Sequence, residues 1–193
     1  VFTPADLYQG APETRTWIEP GPRADVLCGA SRPGFFRGVT TVVNKLFHIV
    51  EPDVAVFGRK DYQQWRVISA MVSDLDMAIE VVGMPIVREH DGLALSSRNV
   101  RLSGDARQRA LALTQSLEFV SHEVAGGERR SAWLKSAVRE RLVASGGDVD
   151  YIALVDPETL RAVEGTVTGA ILIALAVTYD DVRLIDNRII KLS

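Results

Sequence analysis

Cysteine is nearly absent: Cys28 stands alone in 193 residues, which excludes an internal disulfide and a cysteine-rich zinc site and points to a reducing, cytoplasmic setting. Histidine is scarce too, and His48, His90 and His122 lack metal-ligand spacing, so no protein-built metal site is expected. Neither sign of charge accumulates. The 22 Lys+Arg and 25 Asp+Glu leave a net charge of −3, with no cationic block suited to nucleic acid or an anionic membrane. The longest strongly apolar run, residues 170–177, is too short to cross a bilayer. No repeat or low-complexity tract occurs, and neither G-x-x-x-x-G-K-[ST] nor G-x-G-x-x-G is present, which removes the two common glycine-rich phosphate loops. A globular chain with one core or two modest ones remains, and a small anionic ligand held locally is compatible with it.

What is present reads as alternating elements. Val1-Phe2 has the character of a buried strand's tail, and Thr3-Pro4-Ala5-Asp6 that of a helix start, with Thr3 as N-cap and Pro4 in the first turn. Pro and Gly at 9–12 and 19–22 punctuate a loop around a short extended piece, 16–19. From Gly38, Val39, Val42, Val43, Leu46, Phe47 and Val50 recur on one helical face, and Pro52 ends the pattern. Residues 53–58 are a short apolar strand of the kind buried on both faces of a parallel sheet. A helix from Asp61 carries Trp65, Ile68, Val72 and Leu75, and 79–82 is the next strand. Helix and strand in alternation predict an open α/β sheet with right-handed crossovers.

The pattern then changes. Ser103 opens one long helix with Ala110, Leu113, Leu117, Val120 and Val124 inward, closed by Gly126-Gly127. Ser131 caps another, carrying Leu134, Val138 and Leu142 and closed by Gly146-Gly147. Strands follow at 149–155, 169–177 and 182–186, the last continuing toward Lys191, and a four-residue connection at 178–181 predicts an antiparallel hairpin. Two units are expected, 1–86 and 87–193, the first α/β and the second α+β.

Chemistry gathers at two loops. Ser96, Ser97, Arg98 and Asn99 follow Gly92 in a polar stretch able to offer phosphate oxygens one bidentate guanidinium and two hydroxyls. Lys60 adds a cation just past the first strand, where ligands of open α/β sheets sit. Plainer readings stand beside these. Such a loop also merely solvates a connection, Arg59 and Lys60 serve equally as solvated cations, and Asp61 with Gln64 has the D-x-x-Q spacing of a capping box.

In combination these segments resemble a known family. Gly29-Ala30-Ser31-Arg32-Pro33-Gly34, Phe36-Arg37-Gly38-Val39, Pro52-Asp53, Phe57-Gly58, Lys60-Asp61-Tyr62-Gln63-Gln64, Val82-Gly83, Pro85, Asp91-Gly92-Leu93-Ala94-Leu95-Ser96-Ser97-Arg98-Asn99 and Arg183-Leu184-Ile185-Asp186-Asn187 together resemble the pantothenate synthetase (pantoate–β-alanine ligase) family. The resemblance implies the C-terminal part of a Rossmann-like sheet of the nucleotidyl transferase superfamily, followed by a small α+β lid domain. It implies ATP-dependent condensation of pantoate with β-alanine through a pantoyl adenylate, with ATP, Mg2+ and a homodimer. By the same resemblance Lys60, Ser96, Ser97 and Arg98 are catalytic, and Phe57, Gly58, Asp61, Val87 and Leu95 join them around the nucleotide. Gln64 would hydrogen-bond pantoate.

The match has departures. The family's H-x-G-H segment does not occur in these residues, Phe35 stands where relatives often carry His, and Arg59 where they often carry Glu. The expectation is a portion lacking the N-terminal segment and inactive by itself. Two rival readings are another nucleotidyl transferase with a different acceptor, which the whole K-D-Y-Q-Q segment disfavours, and a non-catalytic folding or dimerisation module.

Overall fold

The computed structural model describes residues 1–8 and 15–192, so the loop expected at 9–12 lies outside the described residues. The short helix α1 (Cys28–Ser31) precedes α2 (Phe35–Val50). Then come β1 (Val54–Gly58), α3 (Tyr62–Asp74) and β2 (Glu80–Met84). Helices α4 (Gly104–Ala110), α5 (Ala112–Ala125) and α6 (Ser131–Ala144) lead into β3 (Asp148–Val155), β4 (Ile171–Tyr179) and β5 (Val182–Ile190). Strands β1 and β2 pair in parallel, whereas β3, β4 and β5 form an antiparallel sheet in that order. The parallel pair followed by the three-stranded antiparallel sheet is the architecture expected from the sequence.

Several local expectations are corrected. The first eight residues form neither strand nor helix, and Val1 and Phe2 are exposed. Thr3-Pro4 is an adequate helix start, but no apolar face follows to pack against a core. Helix α2 begins three residues before Gly38, after Gly34 turns into the left-handed region at φ 77°. It buries Thr40 and Thr41 as well as Phe47: Thr40 Oγ1 donates to Ile18 O at 2.6 Å, and Thr41 Oγ1 accepts from Ile18 N at 3.0 Å. The stretch at 16–19 is thus fastened to α2 by hydroxyls and forms no strand. Leu75 and Val50, assigned to apolar stripes, are exposed; Val50 is the last residue of α2 and Leu75 the C-cap of α3.

The helix expected from Ser103 is two helices meeting at Leu111, where a tighter i→i+3 bond from Leu111 N to Gln108 O breaks the α pattern. Ser103 does cap α4, accepting from Ala106 N. Ser131 does not cap α6; Arg130 is the N-cap, and the Ser131 hydroxyl lies buried without a partner. The β4–β5 connection is a tight turn at Asp180-Asp181, with Asp180 at φ 53°.

The larger core lies where α5 and α6 cover one face of the antiparallel sheet, with Leu113, Leu117, Leu134, Leu142, Leu175 and Val177 fully or almost fully buried. The opposite face of that sheet turns Leu172 and Ala174 toward Tyr62 of α3. A smaller cluster of Phe47, Ile68, Met71 and Val72 lies between α2, α3 and one face of the parallel pair. The other face of that pair is open: Val54 and Val56 are 49% and 63% exposed, against the expectation of a strand buried on both sides.

Candidate functional site

The site forms between the carboxyl end of β1 and the far face of the antiparallel sheet. At Gly58 the chain leaves β1, makes one 3-10 turn, Arg59–Asp61, and enters α3. Lys60 lies in that turn. Asp61 is the N-cap of α3, yet its side chain makes no capping hydrogen bond, and Gln64 takes no partner among the described residues. The capping-box explanation of Asp61 and Gln64 therefore fails on geometry, and both residues line a cavity of about 260 Å³.

That cavity is lined by Arg32, Lys60, Asp61, Gln64, Arg98 and Arg183 among others, with Phe35, Phe36, Leu172 and Ile185 supplying apolar wall. A much smaller recess, of about 10 Å³, is bounded by Lys60, Ser96, Arg98 and Asp186. Lys60 and Arg98 thus face common space. Neither makes an ion pair among the described residues, and both remain available to an anion. Arg32 lies over the Phe35 ring at 3.6 Å, so this phenyl supports a guanidinium at the cavity.

Other expected residues lie outside the larger cavity. Ser97 is exposed and lines neither space, while Ser96 Oγ accepts from Arg98 N at 3.2 Å and so shapes the loop. Phe57 packs edge-on to Phe47 with ring centroids 6.5 Å apart, and Gly58 is the exposed strand end. Val87 and Leu95 are 64% and 53% exposed and are joined by a hydrogen bond from Leu95 N to Val87 O at 2.9 Å. Gly58 thus ends the open face of β1 and Phe57 lies on the covered one, while Val87 and Leu95 belong to the loop beyond β2.

The 88–99 loop is braced at several points. Gly92, at φ 93°, allows the chain to reverse so that Glu89 N donates to Leu93 O. Arg107 Nη2 donates to Glu89 Oε2 and to Asp91 Oδ2, each at 2.7 Å. Asn99 Nδ2 donates to Glu89 Oε1 and to Ala94 O. Arg88 makes a forked pair with Asp186, Nη1 to Oδ2 at 2.7 Å and Nη2 to Oδ1 at 3.0 Å, and Thr114 Oγ1 adds a bond to the same carboxylate. A loop held this way would meet a ligand with little reorganisation.

Sequence reasoning assigned no role to several residues that build the site. Gln63, next to Gln64, is buried: its Oε1 accepts from Cys28 N at 3.0 Å, and its Nε2 donates to Arg23 O and Val26 O. It fastens the segment carrying Cys28 and Arg32 to α3. Arg183 is anchored by Asp150 at 2.5 Å and reaches Cys28 Sγ at 3.6 Å, while Tyr151 OH lies 3.4 Å from the same sulfur. Burial, reinforced by Cys28, pushes the Tyr151 phenol well above its ordinary range, so it is neutral at physiological pH. The available signal was the D-N pair in the Arg183 to Asn187 motif, two polar residues inside an otherwise apolar strand.

A sequence model of the family described as Pantoate-beta-alanine ligase matches residues 1–189. The pantoate–beta-alanine ligase of Arabidopsis thaliana is 52% identical over 217 aligned residues, covering 100% of this chain and 70% of that protein. The pantothenate synthetase of Anaeromyxobacter dehalogenans is 53% identical, covering 97% of this chain and 65% of that protein. The chain therefore spans about two thirds of the length of these curated relatives. Among solved structures, pantothenate synthetase from Thermus thermophilus superposes with a TM-score of 0.82 at 46% identity, covering 92% of this chain and 64% of that one. The pantoate-beta-alanine ligase of Francisella tularensis, complexed with beta-gamma ATP and beta-alanine, gives a TM-score of 0.63 at 30% identity, covering 90% of this chain and 58% of that one.

Proposed function

This chain belongs to the pantoate-beta-alanine ligase family, and from that premise we propose that the protein condenses pantoate with β-alanine at the expense of ATP, through a pantoyl adenylate, releasing pyrophosphate and then AMP. One observation carries the reading: Lys60, Gln64 and Arg98 line a single cavity. Carboxylate attack on an α-phosphate builds negative charge on phosphate oxygens, and two unpaired cations facing that space stabilise it. Gln64, an uncharged amide without a partner among the described residues, suits an anionic substrate carrying hydroxyls. Asp61 and Gly58 would meet the ribose, with Phe57, Val87 and Leu95 around the adenine and Ser96 and Ser97 along the phosphates. The second step needs mainly that the β-alanine amine be positioned against the mixed anhydride.

Magnesium fits this site as a companion of the triphosphate. Among the described residues no cluster of His, Cys, Asp and Glu could hold a metal, and Asp61 is the one cavity carboxylate outside an ion pair. Such a donor set suits a cation held largely by substrate phosphates. Its chemistry there is neutralisation of phosphate charge.

We also read 1–86 as the nucleotide-binding part and 87–193 as a lid, with a homodimer formed through the former and a cytoplasmic location. The test is release of AMP and pantothenate from Mg-ATP, pantoate and β-alanine by the full-length protein. Lys60→Ala or Arg98→Ala is expected to lower kcat by roughly 10²–10³-fold. The 193-residue chain assayed alone is expected to release no AMP, since it contains no H-x-G-H. Equal turnover with a different acid or acceptor, or an active Lys60→Ala enzyme, would overturn the reading.

A further inference from the structure

Strand β5 carries two consecutive polar residues in the interior, Asp186 at 2% and Asn187 at 6% exposure. Successive residues of a strand point to opposite faces, and these two reach different loops. Asp186 accepts both donors of Arg88, which opens the loop bearing Ser96 and Arg98. Asn187 Nδ2 donates to Arg59 O at 3.0 Å and to Lys60 O at 2.9 Å, the carbonyls of the 3-10 turn from which the Lys60 side chain leaves. The two cation-bearing loops are far apart in sequence, and adjacent residues of one strand hold both.

We propose that Asn187 is a positioning residue of the reaction, setting Lys60 against Arg98 by holding the Lys60 turn, with Asp186 as its counterpart on the Arg98 loop. The inference rests on the ligase reading of the cavity. The residue type follows from the contact. One amide nitrogen supplies two N–H groups to two carbonyls, whereas a carboxylate would supply none and an aliphatic side chain would leave both carbonyls unmatched at this point. Packing alone would be served by an aliphatic, as at Ile185 and Ile189 on the same face of β5. Misplacement of a reacting group by about 1 Å costs on the order of 10²-fold in rate.

The test uses Asn187→Ala and Asn187→Thr, each made in the full-length protein and again with Lys60→Ala. Thr retains one donor and suits a strand, so it carries the same readouts if the Ala variant does not fold. The expected result is a kcat for pantoate-dependent pyrophosphate–ATP exchange lowered about 10–100-fold by Asn187→Ala and less by Asn187→Thr, with the β-alanine KM of the overall reaction unchanged. In the Lys60→Ala background most of that loss disappears, because the two residues act as one unit. Amide hydrogen exchange at 58–61 accelerates in Asn187→Ala while that of 148–155 does not. Full additivity with Lys60→Ala, or unaltered exchange at 58–61, would overturn the proposal. A parent protein without pantoate-dependent exchange would sink the ligase reading instead, and hydrogen exchange would still decide whether Asn187 holds the turn.

Discussion

The two sheets reverse the usual expectation. Parallel strands are ordinarily covered on both faces and antiparallel sheets often leave one to solvent, yet here the antiparallel sheet is the enclosed one. Along β4 Ile171, Leu172, Ile173, Ala174, Leu175, Ala176 and Val177 are all buried, with α5 and α6 on one side and α3 with the cavity on the other. Strand β1, equally apolar, has Ala55 and Phe57 half-covered by α2 and α3 and leaves Val54 and Val56 exposed. Hydrophobic composition alone does not make a strand central; coverage by neighbouring elements does. The site follows from this difference, since the enclosed sheet is a rigid floor from which β5 reaches out to both loops.

The sharpest way to break the comparison is to remove equal kinds of side chain from each sheet. Leu175→Ala empties a fully buried site in the antiparallel core and is expected to destabilise by about 2–5 kcal/mol. Val56→Ala, on the open face of β1, should stay within about 0.5 kcal/mol. Denaturant unfolding of both variants checks this, and similar costs would show that β1 is covered in solution by something beyond the described residues. Sedimentation of the unmodified chain would reveal whether that cover is a second copy.

The tie between loop and floor comes next. Arg88→Ala leaves the Asp186 side chain almost wholly buried without its guanidinium partner, with only neutral hydrogen-bond donors for company. Breaking a buried pair costs about 3–5 kcal/mol, and the partial exposure of Arg88 reduces the expectation to roughly 2–3 kcal/mol. Thermal unfolding reads the loss, and an unchanged midpoint would mean that the 88–99 loop is not anchored through β5.

A smaller effect is expected at Gln64. Its amide makes no contact with a hydrogen-bonding partner among the described residues, so Gln64→Glu should leave stability within about 0.5 kcal/mol. On the ligase reading the new carboxylate would repel pantoate, raising its KM on the order of 10-fold, equivalent to about 1.4 kcal/mol, with ATP affinity preserved. Unchanged pantoate kinetics would remove Gln64 from the substrate pocket.

Most of the architecture was legible because periodicity records burial. The stripes Leu113, Leu117, Val120, Val124 and Leu134, Val138, Leu142 all lie in the core as their spacing requires. What periodicity could not show is which faces find partners. Val56 and Leu175 look alike as apolar strand residues, and only tertiary packing separates them. The break at Leu111 carries no proline or glycine to announce it. At the site, residue types suggested Lys60, Gln64 and Arg98, and the structure brings them to one cavity. The supports, Gln63, Asp186 and Asn187, were obscure because each acts through a backbone or side-chain partner distant in sequence.

The smallest expected effect concerns acid. Asn99 first, and then Arg107, hold the Glu89 carboxyl below its ordinary value of 4.5. Burial pushes the Asp91 carboxyl up, but the Leu93 N–H and Arg107 outweigh it and leave it below 3.8. Both folded-state values are therefore depressed relative to the unfolded chain. Linkage then fixes the sign: this contribution is fully present above the ordinary carboxylate values and is lost as pH falls through the lower folded ones. Between about pH 6 and 8 the two groups should contribute no pH dependence. As pH falls below the ordinary carboxylate values and through the lower folded ones, the Arg107 brace is lost, so amide exchange in 88–99, corrected for its intrinsic pH dependence, should rise relative to 148–155. The change should be no more than a few-fold, because solvent screens these contacts. Arg107→Leu removes the shared cation and should flatten the acid response while exposing the loop at neutral pH. If exchange across 88–99 has the same acid profile with and without Arg107, that brace does not order the loop, and the Asn99 bonds and the Arg88–Asp186 pair carry it instead.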